Sequence, residues 1–267
     1  MDFQDILYEK ADGIATITLN RPERLNAFTL STLKEWGQAI TDARVDREVR
    51  VVILTGAGRG FCAGADFKGG EPRFGQRGEE SSAMLRNFLR DDAHVLTRLI
   101  HQLDKPYLAA VNGAAAGAGM DLASMCDIRF ASETAKFAMS YVNMGLSPGD
   151  GGGWYLPRIV GAAKALEMLW TGEPITAAEA LACGYVSRVL PPEELLPATR
   201  AFAQKIADGP AVAVQLAKRL VYRGAHQTLD EALEDHDWAM AMAMATEDAK
   251  EGPRAFTEKR KPRFQGR

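Results

Sequence analysis

Residues 112–121 combine many small side chains with a carboxylate, a pattern that suits stabilisation of a developing negative charge. They follow an apolar stretch ending at Val111 and lead into a predicted helix. Glycine and alanine let a ligand approach the backbone, and the first N–H groups of a helix favour negative charge. Tight helix packing explains the small residues nearly as well, but it does not explain the carboxylate of Asp121. We therefore expect an anion-stabilising turn beside an acidic group.

A second candidate motif is Gly145-Leu146-Ser147-Pro148-Gly149, which fits the Gly-x-Ser-x-Gly nucleophile elbow of α/β-hydrolases. Either His226 or His236 would then act as the base. That mechanism takes an oxyanion-hole donor from the backbone N–H of the residue after the serine, and a proline at that position has none. We therefore interpret Ser147 as a loop residue.

A third glycine-rich turn covers residues 56–60 and follows an apolar strand, as a dinucleotide-binding loop does. The fingerprint requires a third glycine where this chain has Phe61. An ordinary turn at the end of a strand is the better interpretation.

The elements that must position these turns follow an α/β pattern. A β-hairpin is predicted around Asp12 and Gly13, and Thr29 and Thr176 each begin a predicted helix. Further strands are predicted at residues 51–54, 107–111, 128–130, 136–138 and 185–190, and further helices at residues 82–103 and 177–181. Three helical stretches follow residue 190, and residues 252–267 are basic and irregular. No internal repeat is evident, so we expect an α/β core over residues 1–190 and a helical region over residues 191–267.

Bulk composition excludes several classes of partner. The 267 residues carry a formal net charge of -3, so no global positive field exists to bind nucleic acid or an anionic membrane. The most apolar stretch is interrupted by polar residues and glycines, which predicts a soluble, cytoplasmic protein. The three cysteines are widely spaced, so neither a disulfide framework nor a zinc site is expected from them. His94 and His101 stand seven residues apart, which is too far for a close pair of metal ligands.

Several separated segments resemble the enoyl-CoA hydratase/isomerase (crotonase) family, in the family's order. These segments are residues 20–28, 60–66, 112–119 with 126–127, 172–176 with 184–186, and 256–261. The resemblance covers nearly the whole chain. It implies an α/β fold, a ClpP-like spiral of ββα units, with a helical C-terminal region that forms a homotrimer or a hexamer built as a dimer of trimers.

The resemblance also implies a substrate and a chemistry. The substrate is an acyl-CoA thioester, no separate cofactor is required, and the backbone N–H groups of Ala65 and Ala118 form an oxyanion hole for a thioester enolate. Such donors lie about 3 Å from the oxygen and are each worth a few kcal/mol. The CoA-binding surface falls on Arg24, Leu25, Ala27, Ala63, Asp66, Lys68, Phe256 and Lys259.

The chain departs from the family at the acid–base positions. Hydratases of the family use two glutamates about twenty residues apart, and here these positions hold Asp121 and Tyr141. A phenol with an ordinary pKa of about 10 is a poor general base at neutral pH. Asp150 lies in a loop where some relatives place a working carboxylate, although the register is shifted by one residue. The predicted catalytic residues are therefore Asp121, Asp150 and Tyr141.

These residues leave the reaction open. They fit hydration of an enoyl-CoA or isomerisation of its double bond, and the alternatives are an acyl-CoA hydrolase or an enzyme that cleaves a C–C bond of a β-keto thioester. A non-catalytic acyl-CoA-binding protein is a further alternative, favoured by the tyrosine at the second glutamate position.

Overall fold

The N-terminal hairpin forms as predicted from its turn residues. The computed structural model describes residues 2–66, 86, 87 and 89–267. Strands β1 (Ile6–Ala11) and β2 (Ile14–Leu19) pair antiparallel, with Ile6 opposite Leu19. Asp12 and Gly13 between them have positive φ angles, the backbone that a tight two-residue hairpin turn requires.

The larger sheet has six strands and supplies the buried centre of the fold. The hairpin is joined by β3 (Val51–Gly56), β5 (Tyr107–Val111), β7 (Ile128–Ser132) and β10 (Arg188–Leu190). The order is β1-β2-β3-β5-β7-β10, and every pair after the hairpin is parallel. Residues 51–54 of β3 and all residues of β5 are apolar and buried, as expected for strands covered on both faces.

A second, four-stranded sheet is built from short strands that follow those of the first. They are β4 (Gly60–Cys62), β6 (Ala114–Ala116), β8 (Lys136–Ala138) and β9 (Ile175–Thr176), in the order β4-β6-β8-β9. Strands β3 and β4, β5 and β6, and β7 and β8 are consecutive in the chain, and helical structure follows each pair. The prediction of a spiral of ββα units is confirmed, and the repeat is one of structure without an evident sequence repeat.

Helices cover the sheets and form the C-terminal region. Their bounds in the described residues are α1 (Leu30–Val45), a π-helical turn (Leu89–Ala93) continuous with α2 (His94–His101), α3 (Ala118–Ser124), α4 (Gly152–Val160), α5 (Ala162–Thr171), α6 (Ala177–Ala182), α7 (Pro192–Ala207), α8 (Ala211–Gly224), α9 (Leu229–Met244) and α10 (Asp248–Thr257). Thr29 and Thr176 cap α1 and α6 as predicted, each in a capping box. Short 3-10 turns lie at Pro22–Arg24 and Ser140–Met144.

Two parts of the C-terminal region differ from the sequence prediction. Residues 252–267 are not irregular throughout, because α10 continues to Thr257. Its first turn is held by the chain end: Asp248 accepts hydrogen bonds from the N–H groups of Gln265 and Gly266. Helix α7 lies beyond residue 190 but packs on the large sheet, where Leu195 and Ala203 join the apolar cluster around Val51 and Phe130. The boundary at residue 190 stays a prediction.

No helix in the described ranges is both long enough and apolar enough to cross a membrane.

Candidate active site

Two of the three glycine-rich turns singled out in the sequence, residues 112–121 and 145–149, contribute to the wall of one cavity of about 280 Å³. Its described lining is mostly apolar and small: Phe28, Ala63, Gly64, Ala65, Leu89, Gly117, Ala118, Ser140, Tyr141, Met144, Leu146, Ser147, Pro148, Gly149 and Asp150. Asp150 is the only carboxylate among these described lining residues. The described part of the cavity wall is therefore mostly apolar and carries one acidic group.

Ala65 reaches the cavity through a short parallel bridge with Phe28. The Phe28 N–H donates to the Gly64 carbonyl at 2.8 Å, and the Asp66 N–H donates to the Phe28 carbonyl at 2.9 Å. Because successive N–H groups of an extended chain point in opposite directions, the intervening Ala65 N–H points away from Phe28. The bridge leaves this amide available to a ligand.

Ala118 is the first residue of α3, so its N–H has no partner within the helix. The preceding Gly117 has φ 51° and ψ -124°, a conformation that side chains other than hydrogen disfavour. A Cβ added to Gly64 would lie 3.4 Å from the Ala118 nitrogen, so the segments that carry Ala65 and Ala118 are in contact. The sequence predicted both amides at one site, and the structure places both residues at the same cavity.

Asp121, Tyr141 and Asp150 form one hydrogen-bonded cluster. The Tyr141 hydroxyl donates to Asp121 Oδ2 at 2.6 Å and lies 3.5 Å from Asp150 Oδ2. The backbone N–H of Asp150 donates to the same Asp121 oxygen at 3.3 Å. Asp121 has no exposed surface and is absent from the described cavity lining, whereas Tyr141 and Asp150 line the cavity. The phenol thus separates a buried carboxylate from the cavity.

Burial dominates the acidity of this cluster. It raises the pKa of Asp121 to about 7, and the hydrogen bond from Tyr141 offsets part of that rise. It also raises the pKa of Asp150 to about 6, and this shift is partly offset by His94 and Tyr141. The pKa of Tyr141 is raised well above its ordinary value by burial and by the two carboxylates. Asp150 is the cavity-facing group whose protonation state changes near neutral pH.

Gly152 at the start of α4 permits the packing of Asp121. A Cβ at this position would lie 2.0 Å from Asp121 Oδ1. That oxygen and Asp150 Oδ1 are both buried without a hydrogen-bond partner among the described residues. Buried polar atoms of this kind are uncommon and mark a strained or functional site.

The serine-hydrolase alternative lacks its geometry. Ser147 lines the cavity, but no hydrogen bond joins it to a histidine in the described part of the chain. His226 instead stacks against Trp154, with ring centroids 5.9 Å apart. Among the described residues, Ser147 therefore has no histidine partner.

The predicted CoA-binding residues fall into two groups. The segment of Arg24, Leu25 and Ala27 runs beside that of Ala63, whose N–H donates to the Leu25 carbonyl at 3.0 Å. Leu25 has a positive φ of 51°, which bends the chain at this point. Arg24 and Ala63 are exposed, Ala27 is buried, and Ala63 is the member of this group that lines the described cavity.

The second group lies at the end of α10, where Phe256 is 86% exposed and Lys259 follows the helix. Asp66 is only 4% exposed and pairs with Arg21 at 2.9 Å, so its side chain is directed into the fold. Lys68 lies outside the described residues. The CoA-binding roles of all these residues stay predictions.

Two cavity contacts had no signal in the sequence. His94 Nε2 lies 2.8 Å from the Gly149 carbonyl, and the Thr97 hydroxyl donates to the Asp150 carbonyl at 3.4 Å. The sequence analysis considered His94 only as a metal ligand and excluded that role. Its contact with Gly149 was not predicted, because the two residues stand 55 positions apart in the chain. Within the described ranges, no three His, Cys, Asp or Glu side chains are grouped so as to hold a metal ion.

Comparison with known proteins gives a consistent result. A sequence profile described as Enoyl-CoA hydratase/isomerase matches residues 9–267. The chain is 40% identical to a short-chain-enoyl-CoA hydratase of Clostridium acetobutylicum, over 98% of this chain and 97% of that protein. It is 38% identical to a crotonyl-CoA hydratase of Syntrophomonas wolfei, over 99% of both chains. The crystal structure of an enoyl-CoA hydratase from Bacillus anthracis superposes with a TM-score of 0.92 at 35% identity, covering 99% of this chain and 100% of that one. The chain belongs to the enoyl-CoA hydratase/isomerase family and is an enzyme of that family.

Proposed function

We propose that this enzyme adds water across the double bond of a short 2-enoyl-CoA. The observation that carries this proposal is the cluster of Asp150, Tyr141 and Asp121 beside a small cavity that also contains Ala65 and Ala118. The names of the hydratase relatives support the choice of reaction, and a cavity of about 280 Å³ favours a short acyl group.

The two alanine amides would bind the thioester oxygen. As a nucleophile attacks the β-carbon, the electron pair of the double bond moves toward the thioester and its oxygen gains negative charge. Two fixed N–H donors in an enclosed site stabilise that charge, and losing one typically costs about 3 kcal/mol. The small side chains at Gly64, Gly117 and Ala118 leave room for the thioester to approach.

Asp150 would move the proton. Its ionised carboxylate accepts a proton from the attacking water, whose oxygen bonds to the β-carbon, and the protonated Asp150 then delivers that proton to the α-carbon. Atoms and charge balance with a single carboxyl group. A pKa of about 6 keeps Asp150 largely ionised at neutral pH while leaving it acidic enough to return the proton.

Asp121 would act through Tyr141. The phenolic proton is directed to Asp121 Oδ2, so the lone pairs of the phenol oxygen face the other side. A water in the cavity can donate one hydrogen to Asp150 and the other to that oxygen, which fixes its orientation. The tyrosine at the second glutamate position thus becomes a water-orienting acceptor, and we assign it no role as a base.

A second candidate reaction is double-bond isomerisation. It is favoured by the presence of a single described carboxylate in the cavity, because one base suffices to remove a proton from the α-carbon and return it to the γ-carbon. Hydrolysis or cleavage of a β-keto thioester would use the same oxyanion stabilisation, and the raised pKa of Asp150 argues against a site that only binds acyl-CoA.

The CoA moiety and the assembly complete the proposal. Arg24, Leu25, Ala27 and Ala63 would hold CoA at the cavity mouth, with Lys68, Phe256 and Lys259 supplied by the same or a neighbouring subunit of a homotrimer or hexamer. CoA is part of the substrate, and the proposed chemistry uses no further cofactor. We place the enzyme in the cytoplasm.

The test is incubation of the purified protein with a short 2-enoyl-CoA and, separately, a 3-enoyl-CoA, with products followed by mass spectrometry. A gain of one water by the 2-enoyl-CoA is the expected result. A shift of the double bond at constant mass, without hydration, would replace hydration by isomerisation. Inactivity on both substrates would overturn the proposal and direct attention to β-keto thioesters.

A further inference from the structure

The loop that carries Asp150 has little regular structure of its own. Residues 145–151 lie between the 3-10 turn and α4, and the loop contains three glycines, of which Gly145 and Gly151 have positive φ angles. Glycine-rich backbone has many accessible conformations, so contacts from elsewhere must fix the carboxylate of Asp150.

Three of those contacts come from one stretch of helix. Leu89 in the π-helical turn packs against Gly149, where an added Cβ would lie 3.1 Å from Leu89 Cδ2. One turn further, His94 Nε2 lies 2.8 Å from the Gly149 carbonyl, and Thr97 reaches the Asp150 carbonyl at 3.4 Å. Short π-helical turns change the register of a helix and occur often at functional sites.

The hydrogen bond of His94 has a defined direction. A carbonyl oxygen only accepts, so Nε2 carries the proton and donates it to Gly149. The backbone N–H of Asp150 follows directly and donates to Asp121. The Gly149–Asp150 peptide group is therefore held on both sides, by His94 through its carbonyl and by Asp121 through its N–H.

We infer that His94 is a positioning residue that fixes the Gly149–Asp150 peptide and thereby the carboxylate of Asp150. This inference rests on the proposed function, in which Asp150 moves the proton. His94 itself touches no reacting atom. Displacement of a reacting group by about 1 Å can cost 100-fold in rate, so the loss of this bond should be visible in turnover.

The test compares two substitutions of His94 by steady-state kinetics over a range of 2-enoyl-CoA concentrations. His94→Phe keeps a ring but removes the donor, and we expect kcat to fall about tenfold or more with little change in KM. His94→Gln keeps an N–H donor at a similar reach and should recover kcat to within about threefold of the wild type. His101→Phe is the matched control, because His101 lies on the same helix but contacts Tyr155.

A second arm separates positioning from general damage. In an Asp150→Asn background, His94→Phe should cause no further loss of kcat, since the group that it positions is already disabled. Equal losses in both backgrounds, or a kcat for His94→Phe within twofold of the wild type, would overturn the inference. If Asp150→Asn alone turns over like the wild type, the proposed chemistry fails whatever His94 does.

Discussion

Tyr141 lies between two carboxylates but donates to only one of them at short range. Replacing it by phenylalanine removes the 2.6 Å bond to Asp121 and the proposed acceptor for the attacking water. We expect Tyr141→Phe to lower kcat about 10- to 100-fold, because an orienting hydrogen bond is lost at the reacting centre. Steady-state kinetics of hydration measure this effect. Tyr155→Phe, a buried phenol that contacts His101, serves as the control, and unchanged kcat in Tyr141→Phe would remove the phenol from the mechanism.

The buried carboxyl group of Asp121 makes the stability of the folded protein depend on pH. Burial raises its folded-state pKa from 3.8 to about 7, so between these values the folded protein keeps a proton that the unfolded chain has lost. The free energy of unfolding must then fall as pH rises through that window. Removing the carboxylate removes this contribution.

We therefore expect Asp121→Asn to be more stable relative to the wild type at pH 8 than at pH 5, by about 1–4 kcal/mol. Urea unfolding of both proteins at the two pH values measures the difference. Asp104→Asn, at an exposed site, should show no such change. If the difference in unfolding free energy between the two proteins is the same at both pH values, the raised pKa of Asp121 is contradicted.

The sequence located the three acid–base candidates but not their arrangement. Asp121 and Tyr141 were found from the spacing in the family pattern, and Asp150 from its loop. That Asp121 is hidden behind the phenol depends on how α3 and the 3-10 turn pack together. Residue spacing does not determine which groups pack together in the fold. The contact of His94 with Gly149 was missed for that reason.

At the level of elements, the start of α4 decides whether the cluster can form. Gly152→Ala would place a Cβ 2.0 Å from Asp121 Oδ1, whereas at the neighbouring Gly153 an added Cβ meets nothing within 4 Å. We expect Gly152→Ala to destabilise the fold by about 1–3 kcal/mol, as overpacking does, and to lower kcat severely. Gly153→Ala should leave kcat unchanged. Thermal unfolding and kinetics of the pair test this, and equal behaviour of the two variants would show that Asp121 has room to move.

Short sequence motifs predicted those elements whose ends depend on neighbouring residues. Capping residues gave the starts of α1 and α6, and the Asp12-Gly13 turn gave the hairpin. The sequence prediction found no repeat because the ββα units share hydrogen-bonding geometry and not residues. Gly252 and Pro253 disfavour a helix, yet α10 includes both, because Glu251 pairs with Arg260 and Asp248 binds the chain end. Such long-range stabilisation has no local pattern.

At the level of the whole molecule, the C-terminal region leaves a large apolar surface uncovered. Helices α8 and α9 pack together, but they carry many exposed apolar side chains: Val221, Leu229, Leu233, Trp238, Met240, Met242 and Met244. Groups of exposed large apolar side chains often mark protein–protein interfaces. This surface supports the proposed homotrimer or hexamer, in which Phe256 and Lys259 would reach the cavity of the same or a neighbouring subunit.

The assembly can be tested at Trp238, which is 74% exposed beside Met242 in the groove between α8 and α9. Trp238→Glu would place a charge in a buried apolar interface, and losing such an anchor typically costs at least about 2 kcal/mol, or about 30-fold in affinity. We expect sedimentation velocity to show a trimer or hexamer for the wild type and dissociation for the variant, with a raised KM for the CoA substrate. Val45→Glu, which is also at an exposed apolar position but on α1, is the control. A monomeric wild type, or a variant that assembles and binds substrate normally, would show that this surface serves another purpose.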